Sequence, residues 1–108
     1  MAKSVIHQVA NKSDSNYCKL PDGTLIQHGG VGSYTGANRV TYTVTFPVSF
    51  VNTNYHMVAN GDYYSDSDSY EVMCTIHKDS ASQAKIHVRN PVANYANTVS
   101  WIAVGRWK

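Results

Sequence analysis

Residues 39–47 of the chain read RVTYTVTFP, and this stretch decides the fold class. Apolar side chains at Val40, Tyr42, Val44 and Phe46 alternate with threonines, which is the period-two pattern of a strand with one buried face. Pro47 lacks the backbone N–H that a central strand needs, so we expect the strand to end there. The stretch predicts a half-buried β-strand over Arg39–Phe46.

The same alternation recurs on both sides of this strand, and no segment shows the 3.6-residue period of a helix. The further predicted strands are Tyr17–Leu20, Thr24–Gly29, Tyr55–Asn60, Tyr70–Lys78, Ala84–Arg89 and Thr98–Trp107. Pro21-Asp22-Gly23 predicts a tight turn, because proline presets φ and glycine permits a positive φ. We therefore predict an all-β protein: an antiparallel six- to seven-stranded β-sandwich over residues 17–108, preceded by a flexible leader or linker stub over 1–16.

The last predicted strand differs from the others because it is apolar on both faces. Val99, Trp101 and Ala103 share one face, while Ile102 and Val104 share the other. A strand of this kind is usually covered on both sides. We expect Trp101 to lie in the core and the opposite face to contact a second subunit.

Composition excludes several classes of function. Charged residues make up only 15% of the chain, the formal net charge is +2, and the basic residues are scattered, so we expect no nucleic-acid binding. No apolar run approaches the roughly 18 residues of a membrane span, so we expect no membrane insertion. The abundant neutral polar residues and eight tyrosines favour hydrogen bonding and stacking, which suit sugars.

Motifs for catalysis, metals and cofactors are missing from the sequence. There is no Gly-x-Ser-x-Gly elbow, and the predicted strands carry almost no carboxylate beyond Glu71. The glycine-rich stretch 29–36 lacks the ending of a phosphate-binding loop. The histidines have no ligand spacing, and Cys18 and Cys74 are too far apart for a zinc motif. We expect the two cysteines to be buried or half-buried thiols, with a disulfide as the alternative. We predict a non-enzymatic protein with no cofactor and no metal.

Three segments together resemble a known family. They are KLPDGTLIQHGG (19–30), VTYTVTFPVSFVNTNYHMVANG (40–61) and VSWIAVGRW (99–107). In this order they are similar to the C-terminal domain of bacteriophage tail fibres, although His28 stands where that pattern usually has tryptophan. The family shares its fold with the H-type lectins, which are six-stranded sandwiches that assemble as trimers and bind terminal sugars. The resemblance implies a homotrimer at the tip of a tail fibre of the virion, made in the host cytoplasm.

The loop after the strand that ends at Arg89 is the first candidate binding site. It aligns in order with the sugar-contacting segment of the H-type lectins, and on that resemblance Arg89, Asn90 and Tyr95 are ligand-binding candidates. Asn94 is added on chemical grounds, because sugars need amide or guanidinium groups beside an aromatic ring. The alternative is that the asparagines form turns and that Tyr95 packs on the rim of the sandwich.

The second-choice binding loop is DYYSDSDSY, residues 62–70, with Tyr63, Tyr64, Asp66 and Tyr70 as candidate receptor contacts. Loops at one end of a rigid sandwich are common recognition sites. A solvated acidic hairpin loop or a calcium site are the alternatives, although the spacing lacks the glycine and terminal glutamate of an EF-hand.

The function that these patterns predict is the receptor-binding tip of a phage tail fibre. It would recognise a bacterial surface carbohydrate, or another host receptor, and mediate attachment. Two alternatives remain open: a structural module that trimerises and caps a fibre without binding a ligand, and a free-standing H-type lectin.

Overall fold

A computed structural model describes residues 8–12, 15–32, 39–63, 73–89 and 97–108, and these residues are almost entirely β-strand and turn. The strands are β1 (Gln8–Lys12), β2 (Ser15–Lys19), β3 (Thr24–Val31), β4 (Arg39–Thr45), β5 (His56–Tyr63), β6 (Met73–Lys78), β7 (Gln83–Arg89) and β8 (Asn97–Arg106). None of the described residues belongs to a helix that is long and apolar enough to cross a membrane.

The strands form two sheets with every pair antiparallel, which confirms the predicted all-β antiparallel sandwich. One sheet has the order β1-β2-β3-β8-β5 and the other β4-β7-β6. All seven predicted strands are present within a few residues of the expected bounds, and the start expected at Tyr70 lies outside the described residues.

The described residues hold one strand more than the upper predicted count. β1 lies inside the segment 1–16 that we expected to be a leader, and it pairs with β2 in the register Gln8↔Lys19 to Lys12↔Ser15. The sequence pattern missed it because an edge strand is held by backbone hydrogen bonds, which need no long apolar alternation.

The core lies between the two sheets and follows the alternation of the sequence. The inward face of β4 carries the buried Val44, and the inward face of β8 carries the buried Trp101, which confirms the predicted core position of that tryptophan. Phe46 meets the rings of Phe50, Tyr55 and Trp101 edge-on at centroid distances of 5.0, 5.1 and 5.6 Å. Such aromatic contacts contribute beyond the area they bury, so these rings strengthen the packing between the two sheets.

Gln27 is the one buried polar side chain among the described residues, with 0% exposure. Its Nε2 donates to the Val48 carbonyl at 2.8 Å, and its Oε1 accepts from the Val48 N–H at 2.9 Å. Both groups of the amide are therefore satisfied, as burial demands. The pair ties β3 to the segment that follows β4 and crosses between the sheets.

The Pro21-Asp22-Gly23 turn forms as predicted, immediately before β3. Gly23 has a φ of 102°, and Asp22 Oδ1 accepts a hydrogen bond from the Thr24 N–H at 2.9 Å, which holds the pKa of Asp22 below its usual value. The Arg106 guanidinium donates to the Asp22 carbonyl at 2.7 Å, and Trp107 Nε1 donates to the Leu20 carbonyl at 2.9 Å. The end of β8 is thus fastened to the turn.

The outer face of the five-stranded sheet carries an apolar patch, which we define as Val58, Ile102 and Val104. These side chains are 62%, 42% and 38% exposed, and Val58 lies directly opposite Ile102 across β5 and β8. Contiguous exposed apolar residues commonly mark an interaction surface. The second apolar face expected of the last strand is therefore present and uncovered in the single chain.

Candidate functional site

The strand ends that border residues 33–38, 64–72 and 90–96 lie at the same end of the sandwich. In the three-stranded sheet, β4 begins at Arg39, β7 ends at Arg89 and β6 begins at Met73, and these three residues lie side by side in register. The chain therefore enters β4 from residues 33–38, enters β6 from residues 64–72 and leaves β7 into residues 90–96 within one row of the sheet.

The five-stranded sheet has its matching strand ends there as well. β5 ends at Tyr63, opposite Asn97 where β8 begins, and β3 reaches Val31 opposite Val99. Antiparallel pairing thus brings to one end the strand ends that border three segments far apart in sequence. We call this end of the sandwich the loop end. We call the opposite end, which holds the Pro21-Asp22-Gly23 turn, the closed end.

Two of the predicted binding residues lie among the described residues. Arg89 is the last residue of β7 and its side chain is exposed. Tyr63 is the last residue of β5, and its backbone pairs with Asn97. The other candidates lie outside the described residues: Asn90, Asn94 and Tyr95 of the first loop, and Tyr64, Asp66 and Tyr70 of the second.

A shallow groove of about 320 Å³ lies on the outer face of the three-stranded sheet and reaches the loop end. Its walls include Arg39 and Arg89, which are directly opposite each other across β4 and β7, and the exposed Met73. One row further in, Thr41 Oγ1 lies 3.0 Å from His87 Nδ1. The groove can therefore offer two guanidinium groups, a hydroxyl and an imidazole beside an apolar thioether side chain.

Sequence reasoning found Arg89 but missed Arg39, Thr41 and His87. Arg39 and His87 were visible only as polar members of alternating strands. Their approach to Arg89 depends on the pairing register of β4 with β7, and the residue pattern of one strand does not contain that register.

Two observations concern the titratable groups of the described residues. No three His, Cys, Asp or Glu side chains in this part of the chain lie close enough together to hold an ion. Cys18 and Cys74 are free and half-buried, in agreement with the sequence prediction, and burial raises the pKa of the Cys74 thiol. A thiol with a raised pKa stays protonated near neutral pH and is a poor nucleophile.

Solved tail-fibre structures share this fold. The chain is similar to a Pseudomonas aeruginosa R1 pyocin fiber (C-terminal residues 323–701), with TM-score 0.70, 18% identity, and coverage of 94% of this chain and 28% of that one. An N-truncated R1-type pyocin tail fiber gives TM-score 0.71 at 18% identity, with 94% and 86% covered. An N-truncated R2-type pyocin tail fiber gives 0.65 at 22%, with 94% and 38% covered. The chain thus spans less than a third of the first of these fibers.

None of the curated proteins matches the sequence. The family profile for the C-terminal region of gp53-like tail fiber proteins does match it, over residues 19–106. That match contains the first two segments that carried the resemblance and all of the third except Trp107, and it extends from the end of β2 to the end of β8. The tail-fibre resemblance predicted from sequence is therefore confirmed: the chain belongs to the gp53-like tail fiber C-terminal domain family.

Proposed function

We propose that this tail-fibre domain is a non-enzymatic receptor-binding tip, which attaches a phage-type particle to a carbohydrate on the bacterial surface. The observation that carries the proposal is the asymmetry of the sandwich. The closed end is fastened by hydrogen-bonded side chains such as Gln27 and Trp107. At the loop end, the described strands border three segments of sequence rich in polar and aromatic residues: 33–38, 64–72 and 90–96. A rigid scaffold that presents several loops at one end is the usual design of a recognition module.

Arg89 joins the proposed sugar site to the scaffold. It lies at the end of β7, exposed, and the next residue in sequence is Asn90, the first residue of the candidate loop. A guanidinium group held at a strand end is well placed to donate two hydrogen bonds to neighbouring sugar hydroxyls. Asn90, Asn94 and Tyr95 would supply the amides and the aromatic ring.

Assembly as a homotrimer is the second part of the proposal. The apolar patch of Val58, Ile102 and Val104 supports it, because burying these side chains against other subunits would remove them from water. Three weak sites on one particle would also raise avidity by roughly 10²–10⁴ where their geometry matches the surface.

The test is binding of the purified chain, with its oligomeric mass measured, to an array of bacterial surface polysaccharides. We expect saturable binding that is lost when Arg89→Ala and Tyr95→Ala are combined and retained in Lys108→Ala at the closed end. Undiminished binding of the double variant would refute the site. A trimer that binds no surface component would instead favour a capping module. The exposed apolar patch is also consistent with that alternative, because a capping module needs subunit contacts but no ligand site.

A further inference from the structure

The outer face of the three-stranded sheet concentrates basic side chains that are scattered in the sequence. Arg39 lies on β4, and Lys85 and Arg89 lie on β7, all on the same face as His77 and His87. Lys85 has a carboxylate nearby, because its Nζ lies 3.9 Å from Asp79 Oδ2. Within the described ranges, no ion pair involves Arg39 or Arg89.

The two arginines are also direct neighbours across the strands. Residues directly opposite in an antiparallel pair have Cβ atoms about 4.5–5.5 Å apart, and like charges in that position destabilise the sheet. An anion between the two guanidinium groups would turn this repulsion into charge-assisted hydrogen bonds. The arginine pair is therefore expected to destabilise the free sheet and to be well placed to bind an anion.

The remaining walls of the groove suit a sugar that carries the anion. The Met73 side chain is 65% exposed and lies in the same row as Arg89, where it offers an apolar surface to a ring. The Thr41 hydroxyl and the His87 ring, 3.0 Å apart, offer polar partners for sugar hydroxyls. The volume of about 320 Å³ is enough for one charged group and a small number of rings.

We propose that this groove binds a phosphate or carboxylate group of an acidic glycan between the guanidinium groups of Arg39 and Arg89. The proposal rests on the receptor-binding function above and names its ligand class. A glycan is favoured over nucleic acid because a surface that follows a nucleic-acid backbone contacts about 6–10 phosphates, whereas this groove has two cations without a carboxylate partner among the described residues.

The first experiment titrates the full ¹⁵N-labelled chain with glucose 1-phosphate, glucuronate and glucose, followed by amide chemical shifts. We expect saturable shifts at Arg39, Thr41, His87 and Arg89 with an anionic sugar and none with glucose at the same concentration. A response to the phosphate sugar alone assigns a phosphate ligand, and a response to glucuronate alone assigns a carboxylate. If neither anionic sugar produces saturable chemical shifts, the proposal is overturned.

Variants separate a specific site from overall charge. Arg39→Gln and Arg89→Gln should each weaken binding of the responding sugar about tenfold or more, the usual effect of losing a hydrogen bond between charged groups. Lys108→Gln removes the same charge at the closed end and should change the affinity less than about twofold. Equal losses of affinity in all three variants would show that binding depends only on net charge, and would refute the site. Tighter binding of a short DNA duplex than of either sugar would overturn the glycan assignment.

A further measurement distinguishes this proposal from the receptor-binding function itself. Arg39 belongs to the groove but not to the loop site of Asn90, Asn94 and Tyr95. If a host polysaccharide binds and Arg39→Gln leaves its affinity unchanged, the anion groove is refuted while receptor binding stands. Urea denaturation of Arg39→Gln should show no loss of stability, because the substitution removes a like-charge contact.

Discussion

Gln27 provides the sharpest test of how the closed end is held together. Gln27→Leu keeps a side chain of similar size but leaves the Val48 N–H and C=O without the partners they now have at 2.9 and 2.8 Å. Two neutral hydrogen bonds contribute about 0.5–1.5 kcal/mol each, and stranded polar groups add a desolvation cost of about 1–3 kcal/mol. Part of that cost is avoided because Val48 is only half-buried, so we expect a loss of about 2–4 kcal/mol in the free energy of unfolding.

Gln27→Glu tests the same geometry through pH. Burial and the facing Val48 carbonyl should raise the pKa of the introduced carboxyl in the folded state above the unfolded value of about 4.3. When protonated, the carboxyl reproduces the amide, because its O–H donates to the Val48 carbonyl and its C=O accepts from the Val48 N–H. A group with a raised folded pKa stabilises fully below the unfolded pKa and loses that contribution as pH rises through the folded pKa. The deficit relative to the unmodified chain should therefore be small near pH 4 and largest at neutral pH.

The assay is urea denaturation at one protein concentration, with the unmodified chain measured at every pH because oligomerisation and other groups also affect stability. Gln83→Leu is the matched control, since among the described residues the Gln83 side-chain amide bonds to Asp79 alone, at 2.9 Å. It should change stability by less than about 0.5 kcal/mol. A loss below about 0.5 kcal/mol in Gln27→Leu, or a deficit in Gln27→Glu that does not shrink on acidification, would refute this account.

Two further predictions concern packing and assembly. Gly105→Ala should cost about 1–3 kcal/mol in urea denaturation, because a Cβ there would lie 2.7 Å from the Phe50 ring and 2.8 Å from Tyr55 Cβ. Gly30→Ala should be tolerated, because its Cβ would come no nearer than 3.6 Å to any described atom. Equal losses in the two variants would contradict the packing argument. Ile102→Asp should leave the circular dichroism spectrum of the chain unchanged but reduce its mass in analytical ultracentrifugation to that of a monomer, since it places a charge in the apolar patch. Thr43→Asp, on the outer face of the other sheet, is its control, and an unchanged mass in Ile102→Asp would remove the patch from the subunit contact.

The candidate site could be predicted only in part from sequence. Arg89 was identified through loop chemistry and family resemblance, and it lies exposed at the loop end. Arg39 gave no comparable signal, because an arginine at the start of an alternating strand is also typical of an ordinary solvated position. Arg39 becomes a candidate for the site only because it lies directly opposite Arg89, which is 50 positions later in the chain.

The sequence by itself determined the fold class, most of the strands and the core face of alternating strands such as β4 and β7. Those features are local. The alternation from Val40 to Phe46 or from Ile86 to Val88 predicts which side chains face the core, and the residues Pro21-Asp22-Gly23 predict a turn at their own position. The tertiary structure alone decided that β1 joins the sheet edge, that Gln27 bonds to Val48, and that the strand ends bordering three distant segments share one end. These features depend on the register between strands far apart in sequence, and a register is set by the packing of the whole sandwich rather than by any one segment.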